Sequence, residues 1–429
     1  MTSDSMTAQS ILANARAVLA TQGPSAAMPF FETAARAAPS SAAPLLGLGF
    51  CLMALSRPTD AVAVLERAAQ LPGAPPLARR NLGIALIAQG RLDEAIATLR
   101  AVAEVDPEAE ICQLHLGHAL ALAGHAREAA RTSLLALACA QGKGLWRDEA
   151  STPAALRTLV VRAMDRVDRA QSDTLLPLLD RVARRHHPGA LDRVEHWLAE
   201  FLARRKPAST DPEQHARFLY FPGISTHVFH PRASFPWIEA LEAGFDAMRE
   251  EAIERCLMAR EHVSPFLSLG EGDRKQDYLG GADPAWDACF FYRDGQRVDA
   301  SHLACPNTTS TLGSLPLVRI RDHAPEICFS ILGPGTHILP HTGVTNTRLV
   351  VHLPLKVPRD CAIRVRGQVH AWREGEAVVF DDTYVHEAWN RSDAPRIVLL
   401  MDTWNPNLTL AEREGIAAIV EGIGDFNRG

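Results

Sequence analysis

Two kinds of hydrophobic pattern divide the chain. Up to about residue 205, apolar residues recur at intervals of three and four, as in ALDRVEHWLAEFLARR, which is the spacing of amphipathic helices. From about residue 215 onward, short apolar runs alternate with Gly, Pro, Asn and Asp. Some runs show the period-2 alternation of strands, so that Arg348, Val350 and His352 fall on one face. The pattern predicts a helical N-terminal part followed by a β-rich C-terminal part.

Small residues in the helical part recur with a period of 34 residues. Two sets share this spacing: Gly49, Gly83 and Gly117, and Ala61, Ala95 and Ala129. Small residues let antiparallel helices approach closely, and the period resembles that of tetratricopeptide repeats, in about four copies over residues 8–143. Such repeats imply an α-solenoid whose concave groove receives a peptide or a protein. The alternative is that the repeats only stabilise or dimerise the chain.

Three segments follow from these changes in pattern. We expect the solenoid in residues 1–145, and a helical cap and linker in residues 146–208, where helical spacing continues without the 34-residue period. The linker itself is predicted at KPASTDPEQ, residues 206–214. Residues 209–429 form the predicted β domain.

The β domain begins with mixed structure and continues as a series of strands. One helix is expected from Trp237 to about Cys256, and a strand near Trp286 that ends in a turn at Asp294 and Gly295. From Glu326 onward the runs are ICFSIL, THILPH, RLVVHLPLKV, CAIRVR, EAVVFDD, YVHEAW and RIVLLMDTW. Six or seven short strands with tight turns indicate a double-sheet jelly roll, of which cupins are one example. The space between its sheets suits a buried metal.

His341 and His386 stand at the margins of two of these strands. A neutral imidazole binds Fe, Zn, Cu or Ni through one ring nitrogen. Non-haem iron oxygenases usually carry a carboxylate two residues after the first histidine, but here that residue is Gly343. Asp381 and Asp382 precede His386 without the usual spacing of a ligand. From the residues alone, both histidines can equally be hydrogen-bonded core residues.

A longer motif surrounds the two histidines. It reads GPGTHILPHTGVTNTRLVVHLPL, then W-x-E-G-E-x-x-x-F-D-D-x-x-x-H-E-x-W-N, then R-x-x-L-x-x-D-x-W-x-P-x-L. The motif resembles the aspartyl/asparaginyl β-hydroxylase family over about residues 326–412, and the preceding repeats are another shared feature. That family is a branch of the 2-oxoglutarate-dependent oxygenases with a double-stranded β-helix core. The resemblance implies that His341 and His386 hold Fe(II), with Gly343 replacing the carboxylate.

The resemblance also assigns a site for 2-oxoglutarate. It implies that Arg396 pairs with the distal carboxylate of this acid through its planar guanidinium. Ser330 and His352 match positions that make further polar contacts to it. At Val350 some relatives carry an arginine that also contacts the co-substrate, so the manner in which this chain holds it differs there.

Other residues of the motif have competing interpretations. For His337 we expect a structural hydrogen bond, and Arg348 fits either an ion pair or a contact to substrate. Cys305, in ACPNTTSTL, lies in a stretch that resembles a substrate-side loop of the family, and we expect it to be a free thiol. The tryptophans of the motif are expected to pack in the core or at the rim: Trp372, Trp389 and Trp404.

These features predict an Fe(II)- and 2-oxoglutarate-dependent hydroxylase that uses O2. The expected target is Cβ of an Asp or Asn residue in a peptide or protein that the repeat groove recruits, with succinate and CO2 as co-products. One alternative is a lipid or small-molecule substrate, since bacterial-type relatives include hydroxylases of lipid acyl chains. Another is a scaffold protein, in which the repeats bind a partner and the barrel is catalytically silent.

Composition narrows the expected partners and compartment. The net charge of -6, with Lys and Arg spread along the chain, does not favour nucleic acid or an acidic membrane. The eight cysteines are scattered without a CxxC pair, which is typical of reduced thiols in a cytosol. No signal-peptide pattern and no apolar run of about 18–20 residues is present. We therefore expect a cytoplasmic protein, and its oligomeric state is not indicated.

Overall fold

The structure is a computed structural model that describes residues 3–205, 211–260, 262–270 and 273–428, with side chains from residue 8 onward. Residues 206–210, which carry most of the predicted linker, lie outside the described residues. The chain forms two compact units, one of residues 1–173 with 426–429 and one of residues 174–425. This boundary falls inside the segment 146–208, whose second half packs with the β-rich unit. The division into three segments made from sequence remains a prediction.

Antiparallel helices in series form the first unit. They are α1 (Ser3–Gln22), α2 (Pro24–Ala37), α3 (Ala42–Ala54), α4 (Pro58–Gln70), α5 (Pro76–Gln89), α6 (Leu92–Val105), α7 (Glu110–Leu122) and α8 (Ala126–Gly142). The next helix, α9 (Arg157–Ala183), spans the boundary at residue 173, and α10 (Asp192–Leu202) belongs to the second unit. From α1 to α8 each helix packs on the next. No helix among the described residues has the length and apolar character needed to cross a membrane.

The 34-residue period marks the close contacts between these helices. Ala61, Ala95 and Ala129 are fully buried. At Gly83, an added methyl group would lie 2.5 Å from Cγ of Leu99, so the two helices approach closely only because position 83 has no side chain. The tetratricopeptide-type solenoid predicted from sequence is confirmed.

The second unit contains the remaining helices and all the strands of the described residues. The helices are α11 (Ile238–Ala243), α12 (Phe245–Ile253), α13 (Asp299–Ala304), α14 (Pro306–Gly313) and α15 (Leu410–Arg428). The strands are β1 (Val263–Pro265), β2 (Leu279–Gly280), β3 (Trp286–Arg293), β4 (Gln296–Arg297), β5 (Ile327–Leu332), β6 (His337–His341), β7 (Arg348–Lys356), β8 (Cys361–Val365), β9 (Gln368–His370), β10 (Val378–Phe380), β11 (His386–Asn390) and β12 (Arg396–Trp404).

The strands form two antiparallel sheets. The larger has the order β1-β3-β5-β12-β7-β10 with β4 beside β3, and the smaller has the order β2-β6-β11-β8-β9. Every strand expected after Glu326 is present, and the predicted jelly-roll type of β domain is confirmed. Alternate residues of β7 divide between two environments, since Leu349, Val351 and Leu353 pack under α11 and α12. Val350 and His352 therefore face the space between the sheets.

Two local predictions were wrong. The helix expected from Trp237 to Cys256 is interrupted at Gly244, where an added methyl would lie 2.6 Å from Oγ1 of Thr311, so α11 and α12 meet at a residue that must be small. The stretch around Cys305, expected as a loop, forms α13 and α14 instead. Pro306 begins α14 at a position that proline favours, and Cys305 is fully buried.

Candidate active site

A cavity of about 760 Å3 lies between the two sheets of the second unit. Every site residue predicted from sequence lines it: Ser330, His341, His352, His386 and Arg396. These side chains come from five strands: β5, β6, β7, β11 and β12. The fold therefore brings residues that are up to 66 positions apart in the sequence to the wall of one cavity.

His341 and His386 face each other across neighbouring strands. They are register partners in the antiparallel pairing of β6 with β11, and their ring centroids are 4.1 Å apart. Nδ1 of His341 donates to the Leu339 carbonyl at 2.8 Å, and Nδ1 of His386 donates to the Tyr384 carbonyl at 3.0 Å. In this tautomer the lone pair of each ring is on Nε2, as a metal ligand requires.

The surroundings keep both imidazoles uncharged. Burial lowers the pKa of His386 to about 3, and the neighbouring His341 adds to this effect. Burial also lowers the pKa of His341, to which the positive charge of Arg217 contributes. Because only a neutral imidazole can bind a metal, both side chains are in the ligating form at neutral pH.

Gly343 is closely packed against Asp382. The Gly343 amide donates to the Asp382 main-chain oxygen at 2.6 Å, and an added methyl at Gly343 would overlap the Asp382 carboxylate. Burial, together with Asp381 and Asp402, raises the pKa of Asp382 to about 8, so this carboxyl group is largely protonated at neutral pH. Over the described ranges, no group of three or more His, Cys, Asp or Glu side chains is arranged to hold a metal. The site thus offers two imidazoles rather than two imidazoles and a carboxylate.

Arg396 lies at another part of the same cavity and is 1% exposed. Its Nη1 donates to the Ser330 carbonyl at 3.3 Å, whereas its Nε is buried and has no hydrogen-bond partner among the described residues. Burial lowers its pKa to about 10, so the guanidinium is still charged at neutral pH. A buried charge without a counter-ion is costly, and this end of the cavity therefore suits an anionic ligand.

Two further buried donors surround this arginine. Cζ of Arg396 lies 4.9 Å from the centroid of the Trp372 ring, and Nε1 of Trp372 has no hydrogen-bond partner in the part of the chain that the structure describes. The ring of His352 lies 5.7 Å from the ring of the same tryptophan, and Nδ1 of His352 likewise has no partner in that part of the chain. Sequence reasoning placed Trp372 among packing residues, and its contact with Arg396 was missed. The buried, unpaired nitrogens fit a ligand that carries several oxygen atoms, such as a dicarboxylic acid.

Phe380 connects the two ends of the site. Its ring lies 5.9 Å from that of His386 and 5.1 Å from that of His352, and the Arg396 charge acts on His352. The histidine pair and the arginine therefore belong to one continuous pocket. His341, His386 and Arg396 thus line one pocket, as the sequence predicts. The ligand that each residue binds remains a proposal.

The other residues of the motif have contacts that indicate their roles. Arg348 forms an ion pair with Asp402 at 2.6 Å, which favours the structural interpretation. His337 pairs with Glu387 at 2.6 Å, in agreement with its expected hydrogen-bonded role. Trp389 lies beneath the guanidinium of Arg391 and is 8% exposed, as expected for a packing residue. Val350 lines the cavity, so its aliphatic side chain forms part of the wall.

Comparison with known proteins agrees with this arrangement. A family model described as aspartyl/asparaginyl beta-hydroxylase matches residues 242–406, and one described as tetratricopeptide repeat matches residues 55–115. The chain is 30% identical over 252 residues to aspartate beta-hydroxylase domain-containing protein 2 of Rattus norvegicus, a match that covers 54% of this chain and 71% of the relative.

Two further relatives match over smaller shares of their length. The chain is 35% identical to human aspartyl/asparaginyl beta-hydroxylase, over 43% of this chain and 24% of that protein. It is 34% identical to the ornithine lipid ester-linked acyl 2-hydroxylase of Rhizobium tropici, over 41% of this chain and 59% of that protein.

Among solved structures, the chain is similar to YrrB, a TPR protein with an unusual peptide-binding site, at 25% identity and a TM-score of 0.31, over 38% of this chain and 76% of that one. That score is too low to support an argument about function. The β-hydroxylase family model covers the strands that carry His341, His386 and Arg396. The chain belongs to the aspartyl/asparaginyl β-hydroxylase family, with tetratricopeptide repeats preceding the matched domain.

Proposed function

We propose that the protein is an Fe(II)- and 2-oxoglutarate-dependent hydroxylase that acts on Cβ of an Asp or Asn residue in a peptide or protein. One observation carries the proposal: a single pocket joins two neutral imidazoles, whose Nδ1 atoms bind main-chain carbonyls, to a buried arginine that has no counter-ion among the described residues. Two imidazoles bind iron and leave coordination positions open, and the guanidinium suits the distal carboxylate of 2-oxoglutarate.

Iron and 2-oxoglutarate would each be held by specific residues of the pocket. When bound, iron and 2-oxoglutarate supply the oxidising chemistry, in which O2, 2-oxoglutarate and a C–H bond give CO2, succinate and a C–OH group. His341 and His386 hold the metal in the orientation fixed by their Nδ1 hydrogen bonds. Arg396 anchors the acid, and its stacking on Trp372 limits the positions that the guanidinium can take.

Ser330 and His352 complete the proposed co-substrate site. Oγ of Ser330 accepts a hydrogen bond from Nε1 of Trp286 at 3.0 Å, so its own proton remains available for a carboxylate oxygen. Burial and the nearby Arg396 lower the pKa of His352 well below its ordinary value, and the neutral ring can donate one proton to the same acid. The buried ring of Phe380 lies against His352 and lines the same cavity.

The repeats provide the proposed means of recruiting a polypeptide. Helical hairpins of this kind expose a groove that commonly binds a peptide, and a tetratricopeptide model matches residues 55–115. A peptide substrate is therefore favoured over a small molecule. We also propose a cytoplasmic location, which is supported by the eight free cysteines of the structure.

The direct test measures co-substrate turnover. Purified protein loaded anaerobically with Fe(II) is expected to convert 2-oxoglutarate to succinate on exposure to O2, faster when its substrate is present. A mass-spectrometric search for +16 Da peptides, in cells with and without the protein, would identify the hydroxylated residue. A protein that binds neither iron nor 2-oxoglutarate would be a scaffold with a silent barrel, and the proposal would fail.

A second candidate function is hydroxylation of an acyl chain. The observation that favours it is the apolar character of much of the cavity wall, together with the match to an acyl 2-hydroxylase. The apolar residues that line the cavity include Phe218, Phe266, Leu339, Val344, Val350 and Leu400. An assay with detergent-dispersed fatty-acyl lipids and the same succinate readout separates this substrate class from peptides.

A further inference from the structure

The cationic side chains that line the active-site cavity differ in how they are paired. Three arginines line it: Arg217, Arg348 and Arg396. Arg396 is buried beside the proposed co-substrate site, and Arg348 is neutralised by Asp402. Arg217 is exposed, and within the described part of the chain it forms no ion pair with any carboxylate. It is therefore the arginine of the three whose charge is available to an incoming ligand.

The backbone holds Arg217 next to the histidine pair. Its amide donates to the Gly343 carbonyl at 3.0 Å, and the next two amides, of Phe218 and Leu219, donate to the Val344 carbonyl at 3.0 Å. Leu219 also forms a parallel bridge with Thr345. These bonds fix residue 217 in register with a residue two positions after His341. Arg217 and His341 both line the cavity.

Exposed apolar and aromatic side chains line the same cavity as Arg217. Phe218 is 49% exposed, and Tyr278 and Val344 are also exposed and line the same opening. A ligand that enters here meets apolar side chains and one unpaired positive charge beside the proposed metal ligands. Such a surface fits the side chain of an acidic residue, whose carboxylate lies one bond from the carbon that the proposed reaction oxidises.

Among the described residues that line the cavity, no other arginine is free to bind a substrate carboxylate. Val350 occupies the position at which some relatives carry an arginine, and its aliphatic side chain lines the cavity. A carboxylate that enters the pocket gives up part of its hydration, and a positive charge beside it offsets that loss. Arg348 cannot serve without losing its bond to Asp402. Arg217 is therefore the arginine that can pair with the substrate carboxylate.

We infer that Arg217 binds the side-chain carboxylate of the residue to be hydroxylated, and thereby sets a preference for Asp over Asn. This inference rests on the proposed function and deepens it, since it selects one substrate class among those the family resemblance allows. Arg217 is a specificity-determining residue in this account. The amide of an Asn side chain carries no charge, so it gains little from the guanidinium.

The experiment compares two synthetic peptide libraries that are identical except for Asp or Asn at the central position. Wild-type protein, Arg217→Gln and Arg217→Lys are loaded with Fe(II) and 2-oxoglutarate. Binding of each fluorescent library is measured anaerobically, and hydroxylation is measured after O2 is admitted, as +16 Da products. Arg359→Gln is the matched control, because Arg359 is an exposed arginine of the same unit that does not line the cavity.

Wild-type protein is expected to favour the Asp library by at least about tenfold in kcat/KM, as a charge-assisted hydrogen bond provides. Arg217→Gln is expected to reduce the Asp-to-Asn preference by about 10- to 100-fold, mainly through binding, and Arg217→Lys to reduce it less. Arg359→Gln is expected to match the wild type in both libraries.

Four results would overturn the inference. The wild type could have the same kcat/KM for both libraries, or Arg217→Gln could lower kcat/KM equally for both. Either result would mean that Arg217 does not bind the substrate carboxylate. Hydroxylation of fatty-acyl lipids but of neither library would favour the second candidate function. Succinate formed without any peptide product leaves the oxygenase chemistry standing and rejects this inference, whereas the absence of succinate in every sample rejects the proposed function itself.

Discussion

The carboxylate of Asp382 occupies the space toward which a side chain at Gly343 would project. The Gly343 amide is also bound to the Asp382 main-chain oxygen at 2.6 Å, so the two residues are fixed against each other. A glycine two residues after His341 is thus a packing requirement of this barrel as well as the loss of a ligand. Restoring a carboxylate at position 343 requires Asp382 to move.

This contact predicts the effect of filling position 343. Gly343→Ala is expected to lower the free energy of unfolding of the β-rich unit by about 1–3 kcal/mol, because the methyl group overlaps the Asp382 side chain. In Gly343→Ala/Asp382→Ala the overlap is removed, so the double variant should be more stable than the sum of the single effects. Urea unfolding monitored by tryptophan fluorescence measures this coupling. Strict additivity would show that the two side chains do not compete for space.

Metal binding is expected to depend on the histidine pair. His341→Ala and His386→Ala should each lose bound Fe(II) and reduce succinate formation by more than about 100-fold, because each removes one of two protein ligands. His337→Ala is the matched control, since His337 lies on the same strand as His341 but pairs with Glu387. Iron retained after anaerobic loading and desalting is the measurement. Full iron content in the His341 variant would remove that residue as a ligand.

Arg396→Lys tests the geometry of the co-substrate site. Lysine keeps the charge but not the planar fork, so KM for 2-oxoglutarate should rise by about 10- to 100-fold. Arg391→Lys is the control, because Arg391 also lies over a tryptophan ring, with Cζ 4.8 Å from the Trp389 centroid, but is exposed and does not line the cavity. Initial rates over a range of 2-oxoglutarate concentrations give KM. Equal KM values in the two variants would argue against a carboxylate at Arg396.

The sequence predicted those parts of the site that lie within one continuous motif. His341, His386 and Arg396 stand at strand margins in a recognisable order, and strand pairing then brings them together, as the register of His341 with His386 illustrates. Arg217 precedes this motif by more than a hundred residues and reaches the site through main-chain bonds to Gly343 and Val344. No local sequence pattern indicates that Arg217 contacts Gly343 and Val344, so this contact could not be predicted.

The same limit applies to residues whose partner is distant in the sequence. Trp372 has the spacing of a packing residue, and its contact with Arg396 depends on how the strands fold over each other. Gly244 separates α11 from α12, and the side chain of Thr311, from a distant part of the sequence, lies against it. Periodicity predicts the faces of helices and strands, but it does not indicate which side chain from another segment will meet a given face.

Stability is expected to depend on pH through Glu326. Burial, together with Asp402 and Asp294, raises its pKa from the ordinary value of 4.5 to about 7. Because this acid has a raised pKa in the folded state, its favourable contribution is complete below the unfolded pKa and is lost as the pH rises through 7. Glu326→Gln should therefore be more stable than wild type at pH 8.5, by about 2 kcal/mol, and the difference should shrink at pH 5.

Thermal unfolding of both proteins at these two pH values provides the measurement. Gln keeps an oxygen that can accept from the Asp294 amide, which lies 3.1 Å from Oε2 of Glu326. A difference between the two proteins that is the same at pH 5 and pH 8.5 would mean that the carboxylate is not destabilised by its surroundings.

The repeat period makes a separate prediction for the helical unit. Gly83→Ala should destabilise this unit by about 1–3 kcal/mol, because the new methyl would lie 2.5 Å from Cγ of Leu99 and the two helices would have to separate. Gly142 provides the matched control at the last position of α8, since an added methyl there meets no atom within 4 Å. Gly142→Ala should be neutral or slightly stabilising, by up to about 1 kcal/mol, because alanine favours the helix. Urea unfolding followed by far-ultraviolet circular dichroism distinguishes the two. Equal stability of both variants would show that the period at Gly83 does not reflect close helix packing.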